Sequence, residues 1–469
     1  MSERSYRATA GKRLWAGLQV LVFRALTAAV DAGSPGIRFG VGHAVRRRLL
    51  ERSLVSLSAA PGRSTEALSP DLLRKPTRPQ PLVALVTRTL GTGGVETIVA
   101  TLARGLPERG LDCIVLCERG GSTADELRAL GVAVFEAHDA ASADSVLAAA
   151  GPVVAAQLHN APGHLIDAFI RRGIPIVPVV HTTDINLSEE DWLKQSDLLD
   201  RSAVAVAVSE TVKAFFENHL PRRAPVTVKV VPNGVTVRAS LDPGLARMRL
   251  AAAIDAELGE TVVIVCLARY DMQKNVPGLV RAFLDAAGEN HDARLVVAGP
   301  VEDWLEYAHA DAIRRAHPNK GRVHLLGSSS SPDILDAADV FVLDSFFEGW
   351  PVAASEAIMA GLPLVISDVG GAHELVGNRG ERGEICANPA GAPATITLAE
   401  IGAARRRAIQ SNSAAITTAL RVILHDIARW RERKDQLARD AAVWLRADAM
   451  VDSHAALLRI VGIVREEAP

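Results

Sequence analysis

Residues Phe341–Val376 read FVLDSFFEGWPVAASEAIMAGLPLVISDVGGAHELV, a strand, a helix and a second strand in succession. The aliphatic run Val340–Leu343 gives way to a loop. Pro351 suits a first helical turn because its φ is preset, Gly361 suits the C′ position, and Pro363 stops the helix, which therefore covers about 351–360. The run Pro363–Ser367 follows. Short, nearly continuous apolar runs alternating with helices indicate parallel strands covered on both faces.

Outward from this stretch the same alternation recurs. One series of candidate strands comprises Leu82–Thr87, Asp112–Cys117, Val132–Glu136, Val153–Leu158, Ile174–Val180 and Val204–Val208. A second comprises Val262–Ala268, Arg294–Ala298, Val323–Leu326, Val340–Leu343 and Pro363–Ser367. Two series predict an α/β chain with two doubly wound, Rossmann-like domains facing a cleft, closed by C-terminal helices. The expected division is a basic extension and linker over 1–80, a first domain over 81–238, a second over 239–425, and helices over 426–469 that pack back on the first domain. Pro232 and Asn233-Gly234 supply a turn before the hinge at Val235–Asp242, since glycine accepts positive φ.

At 469 residues, 48% hydrophobic and 23% charged, the chain can build more than one core. Its net charge of -2 conceals an asymmetry: residues 1–80 hold fourteen Lys and Arg against five acids, which leaves the body acidic. An acidic body argues against a nucleic-acid groove, which relies on clustered cations. A basic arm can meet an anionic membrane surface. The apolar run Leu14–Phe23 spans about ten residues, half of what a membrane-crossing helix needs. Residues 14–30 read as a helix that packs on the protein or lies in a membrane interface; a signal peptide ending near Ala28–Ala32 is the rival reading. Residues 58–81, rich in Pro, Ser and Arg, read as a linker. Cys113, Cys117, Cys266 and Cys386 lie in apolar runs, with no flanking set that completes a zinc site and no disulfide framework.

Ligands of doubly wound sheets bind beyond the carboxyl ends of the strands, so residues that follow strands carry the candidate chemistry. After the first strand, Gly91, Gly93 and Gly94 form a turn into a helix whose free N–H groups can meet a phosphate. After Val262–Ala268, Arg269 and Lys274 can offset the charge of a diphosphate. Glu348 stands in the loop before the 351–360 helix and Glu356 in its second turn. Carboxylates accept from sugar hydroxyls, while backbone N–H groups from Gly349 to Val352, with Trp350 and Pro351 between them, face a phosphate. His159 and His181 end neighbouring strands of the first domain. Each feature also has an ordinary reading: a tight turn, two surface cations, glutamates complementing a helix dipole, core histidines. None of these accounts for the second glycine turn, Gly370-Gly371.

Taken in order, GTGGVE, the strand-end histidines, VSETV around Ser209, VPNGV, ARYDMQKN and EGWPVAASEAIMAGLPLVISDVGGAHELV resemble the retaining GT-B glycosyltransferases of family four, the glycosyl transferases group one. The resemblance covers roughly residues 82–380 and includes two glutamates in the family's spacing. It implies that Glu348 contacts the transferred sugar and Glu356 the ribose, that Arg269 and Lys274 hold the diphosphate with help from Gly93 and Gly94, and that His181 lies beside the sugar. Gly349, Trp350, Pro351 and Val352 belong to the same implied binding loop. It further implies a metal-independent transfer from a UDP- or GDP-sugar, with no cofactor, in polysaccharide or glycoconjugate biosynthesis. Ala268 stands where the family commonly has glycine, Asn275 where glycine is frequent, Asp344 where proline is usual, and Thr236 where aspartate is.

The expected chemistry is front-face substitution at the anomeric carbon, with the departing diphosphate taking the acceptor proton. The alternatives are a sugar-nucleotide epimerase, a phosphorylase, or a catalytically silent sugar-nucleotide-binding protein. A G-x-G-x-x-G dinucleotide fingerprint is lacking after the first strand. The expected partners are a nucleotide sugar, an acceptor and an anionic membrane, in a cytoplasmic setting.

Overall fold

Among the described residues, thirteen strands, every pair parallel, arrange themselves in two sheets. The computed structural model describes residues 3–33, 41–58, 80–91, 93–202, 204–221, 227–236, 240–286, 292–377 and 379–466. The chain divides into two compact units, one of Ser64–Val237 with Ala442–Pro469, the other of Met1–Arg63 with Arg238–Ala441.

The first unit holds β1 (Leu82–Thr89), β2 (Asp112–Arg119), β3 (Ala133–Glu136), β4 (Val153–His159), β5 (Ile176–Val180), β6 (Ala205–Ala207) and β7 (Val228–Val230), in the order β3-β2-β1-β4-β5-β6-β7. Val83, Ala84, Leu85 and Val86 are wholly buried because helices cover both faces. Helix starts are marked by local chemistry. Ser209 of the VSETV stretch accepts from the Val212 N–H at 3.2 Å and caps helix Glu210–His219.

The C-terminal helix Ala447–Glu466 joins this unit and packs on β4 and on helix Gly94–Gly105. Gly105 makes room for Val451, and Arg109 ties the helix down through Asp448 (3.0 Å) and Asp452 (2.8 Å). Gly234 serves a purpose the sequence did not suggest. Its φ is not positive; a Cβ there would lie 2.7 Å from the Ala447 Cα, so glycine is needed for close approach.

The second unit holds β8 (Val262–Leu267), β9 (Ala293–Ala298), β10 (Val323–Leu326), β11 (Val340–Leu343), β12 (Leu364–Ser367) and β13 (Gly383–Cys386), in the order β10-β9-β8-β11-β12-β13. Strands β7 and β13 escape sequence reading because they are short edge strands that carry exposed Lys229 and Glu384. The division at Ala442, rather than at 426, follows from side-chain anchors. Arg431 pairs with Asp339 at 2.8 Å and Lys434 donates to the Ala338 carbonyl at 3.2 Å, which anchors helix Ile427–Glu432 to this unit through its last turn and helix Lys434–Trp444 through its first.

The basic extension is built into this second unit. Helix Glu3–Ala32 packs on helices Trp304–Ala316 and Leu398–Arg406, with Phe23 against Leu305, Ala308 and Ala312. Its end is fixed by an ion triad in which buried Arg405 joins Asp31 to Glu306. Helix Val41–Leu50 follows, with Arg46 on Asp303 at 3.1 Å, and Val55 and Leu57 pair through their backbones with Gly327 and Ser330. Arg13–Ala32 has the length and composition of a membrane span, more than the ten-residue run Leu14–Phe23, because small alanines extend the apolar stretch. The expected linker over 58–81 lies for the most part, at 59–79, outside the described residues.

Candidate active site

In the six-stranded sheet the strand order reverses between β8 and β11, so the loops leaving these neighbours part in opposite directions and open a crevice at their carboxyl ends. The β8 loop, Ala268–Asn275, is pinned by Tyr270. The hydroxyl of this fully buried side chain shares its one proton between the carbonyls of Val297 (3.0 Å) and Leu326 (2.9 Å). Arg269 on one side of that pin stays half-exposed, with Glu302 at 2.9 Å, Asp271 at 3.1 Å and the Gln273 amide oxygen at 3.1 Å. Burial opposes its charge, but the carboxylates of Asp271 and Glu302 outweigh burial and raise its pKa. Burial likewise raises the pKa of Asp271, opposed by Arg269 and Lys274.

The β11 loop brings Glu348 to the same place. Lys274 Nζ donates to Glu348 Oε1 at 2.6 Å, the Ser345 hydroxyl donates to the same oxygen at 2.6 Å, and Gln273 Nε2 donates to Oε2 at 3.0 Å. Gln273 also donates to the Phe347 carbonyl and accepts, through its own carbonyl, from the Phe346 N–H, so the two loops are stitched together. Beneath them Asn275, held at φ 48°, donates to Asp344 at 2.7 Å, and Asn412 donates to its other oxygen at 2.7 Å. Burial pushes the Asp344 carboxyl up to about 8, against the pull of Asn412 and Asn275.

Helix Val352–Met359 follows, with Pro351 as its N-cap, so it begins one residue later than the sequence suggests. Glu356 accepts from the Ser331 hydroxyl at 3.3 Å. Trp350 is buried and donates through its indole N–H to Ser355 at 2.8 Å. The second glycine turn now has a reason. Gly370, at φ 40°, lies under the Gly349 carbonyl, and a Cβ on Gly371 would stand 2.3 Å from the Trp350 ring. Both glycines therefore leave room for the Glu348–Trp350 loop.

In the seven-stranded sheet the order reverses between β1 and β4. After β1, Gly93 caps helix Gly94–Gly105, and Glu96 of its first turn accepts from Thr89 at 2.8 Å. His159 at the end of β4 and His181 just after β5 meet directly, Nδ1 to Nε2 at 2.8 Å. Both are buried. Burial, then the neighbouring His454, lowers His181 to about 3, and burial with His181 and His454 holds His159 well below the imidazole range. His454, on the C-terminal helix, contacts Gln157 Nε2 at 2.8 Å. Burial raises Asp184, in the loop after β5, to about 6. Among the described residues no group of three or more His, Cys, Asp and Glu has the arrangement of a metal site.

A model of glycosyl transferases group 1 matches residues 253–413, and a model of glycosyltransferase family 4 matches residues 92–238. The chain belongs to the group 1 and family 4 glycosyltransferases of GT-B fold. This GT-B chain is 33% identical over 163 residues to the UDP-Gal:alpha-D-GlcNAc-diphosphoundecaprenol alpha-1,3-galactosyltransferase of Escherichia coli, covering 33% of this chain and 40% of that one. It is 30% identical over 194 residues to the alpha-maltose-1-phosphate synthase of Mycobacterium tuberculosis, 39% of this chain and 48% of that one. The chain thus spans about half the length of the curated relatives it matches. Among solved structures, Anabaena HepE in complex with UDP and glucose superposes with a TM-score of 0.59 at 18% identity, covering 81% of this chain and 99% of that one. A glycosyltransferase from Rickettsia africae does so at 0.65 and 15% identity, covering 81% and 98%.

Within this family member, Arg269, Lys274 and Glu348 converge on one crevice, and Gly349, Pro351 and Val352 lie at the start of the adjoining helix. His181, Gly93 and Gly94 belong to the other unit. Sequence reading missed Gln273 and Ser345, which hold Glu348, although both stand inside the quoted motifs. It also missed His454 and Gln157, which no local pattern connects. Two departures from the family pattern prove to be partners: Asn275 and Asp344 are hydrogen-bonded to each other.

Proposed function

We propose that the protein transfers a sugar from a nucleoside-diphosphate donor to an acceptor hydroxyl, with retention of configuration and without a metal ion. The meeting of Lys274 with Glu348 at the strand-order reversal, with Arg269 linked to them through Gln273, carries this reading. In a front-face substitution the anomeric carbon–diphosphate bond breaks while the acceptor oxygen bonds on the same face and passes its proton to the departing phosphate oxygen. Negative charge grows on that diphosphate, and Arg269 and Lys274 offset it. Glu348, oriented in advance by three donors, accepts from the sugar hydroxyls. Glu356 is assigned to the ribose, and N–H groups at the start of helix Val352–Met359 to a phosphate. His181 and the Gly93-Gly94 turn, which belong to the seven-stranded unit, are assigned to sugar and phosphate binding.

The name of the Escherichia coli relative and the ligand of HepE make UDP-sugars the first donors to try, and a lipid-linked or glycan acceptor the first acceptor class. A thermal-shift panel of UDP-, GDP- and ADP-sugars identifies the donor, because a ligand of the native state raises its melting temperature. Transfer is then followed with EDTA present and the anomeric configuration of the product read by NMR. Inversion, or dependence on a divalent ion, overturns the finer reading; unimpaired transfer by Glu348→Gln, Lys274→Ala and Arg269→Ala together overturns the whole.

The proposed setting is the cytoplasmic face of a membrane. Helix Glu3–Ala32 buries Ala16, Phe23 and Thr27 against the protein, yet leaves Leu14 80% and Trp15 60% exposed, with Leu18, Leu21, Val22 and Leu26 exposed beyond them. An apolar outer stripe on a basic segment suits an interfacial position, and the Asp31–Arg405–Glu306 triad favours a helix that stays on the protein over one that crosses the bilayer. Flotation with liposomes is expected for the full chain and is expected to be lost in Leu18→Ser/Leu21→Ser; equal flotation of both refutes this setting.

A further inference from the structure

A pocket lies between helix Glu3–Ala32, helices Val276–Ala286 and Trp304–Ala316, and the segment after helix Leu398–Arg406, and four arginines line it, Arg24, Arg281, Arg405 and Arg407, together with His309. Glu306 also lines the pocket, but its carboxylate is already committed to Arg405, which Asp31 binds as well. Arg24, Arg281 and Arg407 have no ion-pair partner among the described residues. Burial, then Arg281, Arg405 and Arg24, lower His309 to about 4, so the imidazole is neutral and the arginines' field is felt at its ring. In the same lining, the Thr27 hydroxyl is 2% exposed and has no hydrogen-bond partner. A buried hydroxyl without a partner costs free energy, and arginines that line one space repel one another unless an anion joins them.

We infer that this pocket binds a phosphoryl group, gripped by Arg24, Arg281 and Arg407 and receiving a hydrogen bond from Thr27. Planar guanidinium forks match phosphate oxygens in pairs, which ammonium groups do not. The site is separate from the donor crevice but adjoins its support. Asn275 and Gln410, which also line the pocket, bond to each other at 2.6 and 2.7 Å, and Asn275 directly follows Lys274. The N-terminal extension is therefore a necessary wall of the site, as it supplies both Arg24 and Thr27.

The same chemistry is offered by a free phosphate or by a lipid headgroup, and two arms separate these sources. In the first, melting temperature is followed against inorganic phosphate at constant ionic strength for the full chain, Lys274→Ala, Arg281→Gln and Arg407→Gln. A rise of a few degrees retained in Lys274→Ala and lost in both arginine variants assigns a free phosphate to this pocket and not to the donor site. In the second, the same proteins are floated with phosphatidylglycerol or phosphatidylcholine vesicles. Binding to the former that is about tenfold weaker in the arginine variants assigns a headgroup. Arg407 is exposed, so its variant tests the site without threatening the fold. If the arginine variants match the parent chain in both arms, the proposal is wrong.

Discussion

Lys274 Nζ lies 2.6 Å from Glu348 Oε1, so the cation assigned to the leaving group and the carboxylate assigned to the sugar form one unit before any substrate arrives. Lys274→Ala leaves Glu348 nearly buried among neutral donors, Ser345 and Gln273. The expected loss in kcat is about 10²–10³-fold, the usual cost of removing one donor to a developing charge. Glu348→Gln should cost a similar amount, and the double variant clearly less than the product of the two, because each single change already disrupts the pair. A double-mutant cycle in kcat and in denaturant stability checks this; strict multiplicativity speaks against a functional pair.

Asp344 gives a pH dependence with a definite sign. Its folded pKa of about 8 lies above the ordinary 3.8, so the folded state holds its proton more tightly than the unfolded chain. Its contribution to stability is complete below about pH 4 and drains as pH rises towards 8. Protonated Asp344 can donate to Asn412, whose buried Oδ1 has no partner, once that amide is turned. Asp344→Asn, which cannot ionise, should therefore gain on the parent chain as pH rises from 4 to 8. Melting temperatures across that range decide it, and parallel curves refute it.

How far the site could be read from sequence follows from distance along the chain. Arg269, Lys274 and Glu348 were legible because each follows an apolar strand, and parallel sheets bring strand ends together wherever the order reverses. Asn275 and Asp344 looked like unrelated departures because their hydrogen bond joins residues far apart in sequence. His454 was invisible for the same reason: nothing in a C-terminal amphipathic helix announces that one face will meet β4. For the extension, sequence leaves open whether helix 14–30 packs on the protein or lies in a membrane interface, since charges dominate its composition. Its packing rests on few residues, chiefly Phe23, Asp31 and Arg46, which composition does not weigh.

The three buried histidines of the seven-stranded unit predict the opposite pH behaviour. His181 is lowered to about 3 and His454 to about 4, both mainly by burial, and His159 is lowered too. A base whose folded pKa lies below its unfolded value contributes fully above the unfolded value, here 6.5, and loses that contribution as pH falls. The protein should therefore lose stability between about pH 6.5 and 4. His454→Asn keeps a polar partner for Gln157 but cannot titrate, so its melting temperature should fall less steeply over that interval. An equal slope in both proteins counts against the histidines as the source.

Gly371→Ala tests whether the second glycine turn positions the Glu348 loop. The new methyl group would stand 2.3 Å from the Trp350 ring, a distance no packing tolerates. Trp350 cannot simply rotate away, because its indole N–H is held by Ser355 at 2.8 Å inside a buried environment. The strain must pass into Gly349 and Glu348, whose backbone carbonyls occupy the space that a Cβ on the neighbouring Gly370 would need. Overpacking of this kind costs about 1–3 kcal/mol, which the fold can survive, while displacement of Glu348 from Lys274 should lower kcat far more than stability alone explains. Trp350→Leu removes the opposing ring atoms, so Gly371→Ala/Trp350→Leu should recover part of the activity that Gly371→Ala loses. Full activity in Gly371→Ala, or no recovery in the double variant, would show that the turn does not act through Trp350.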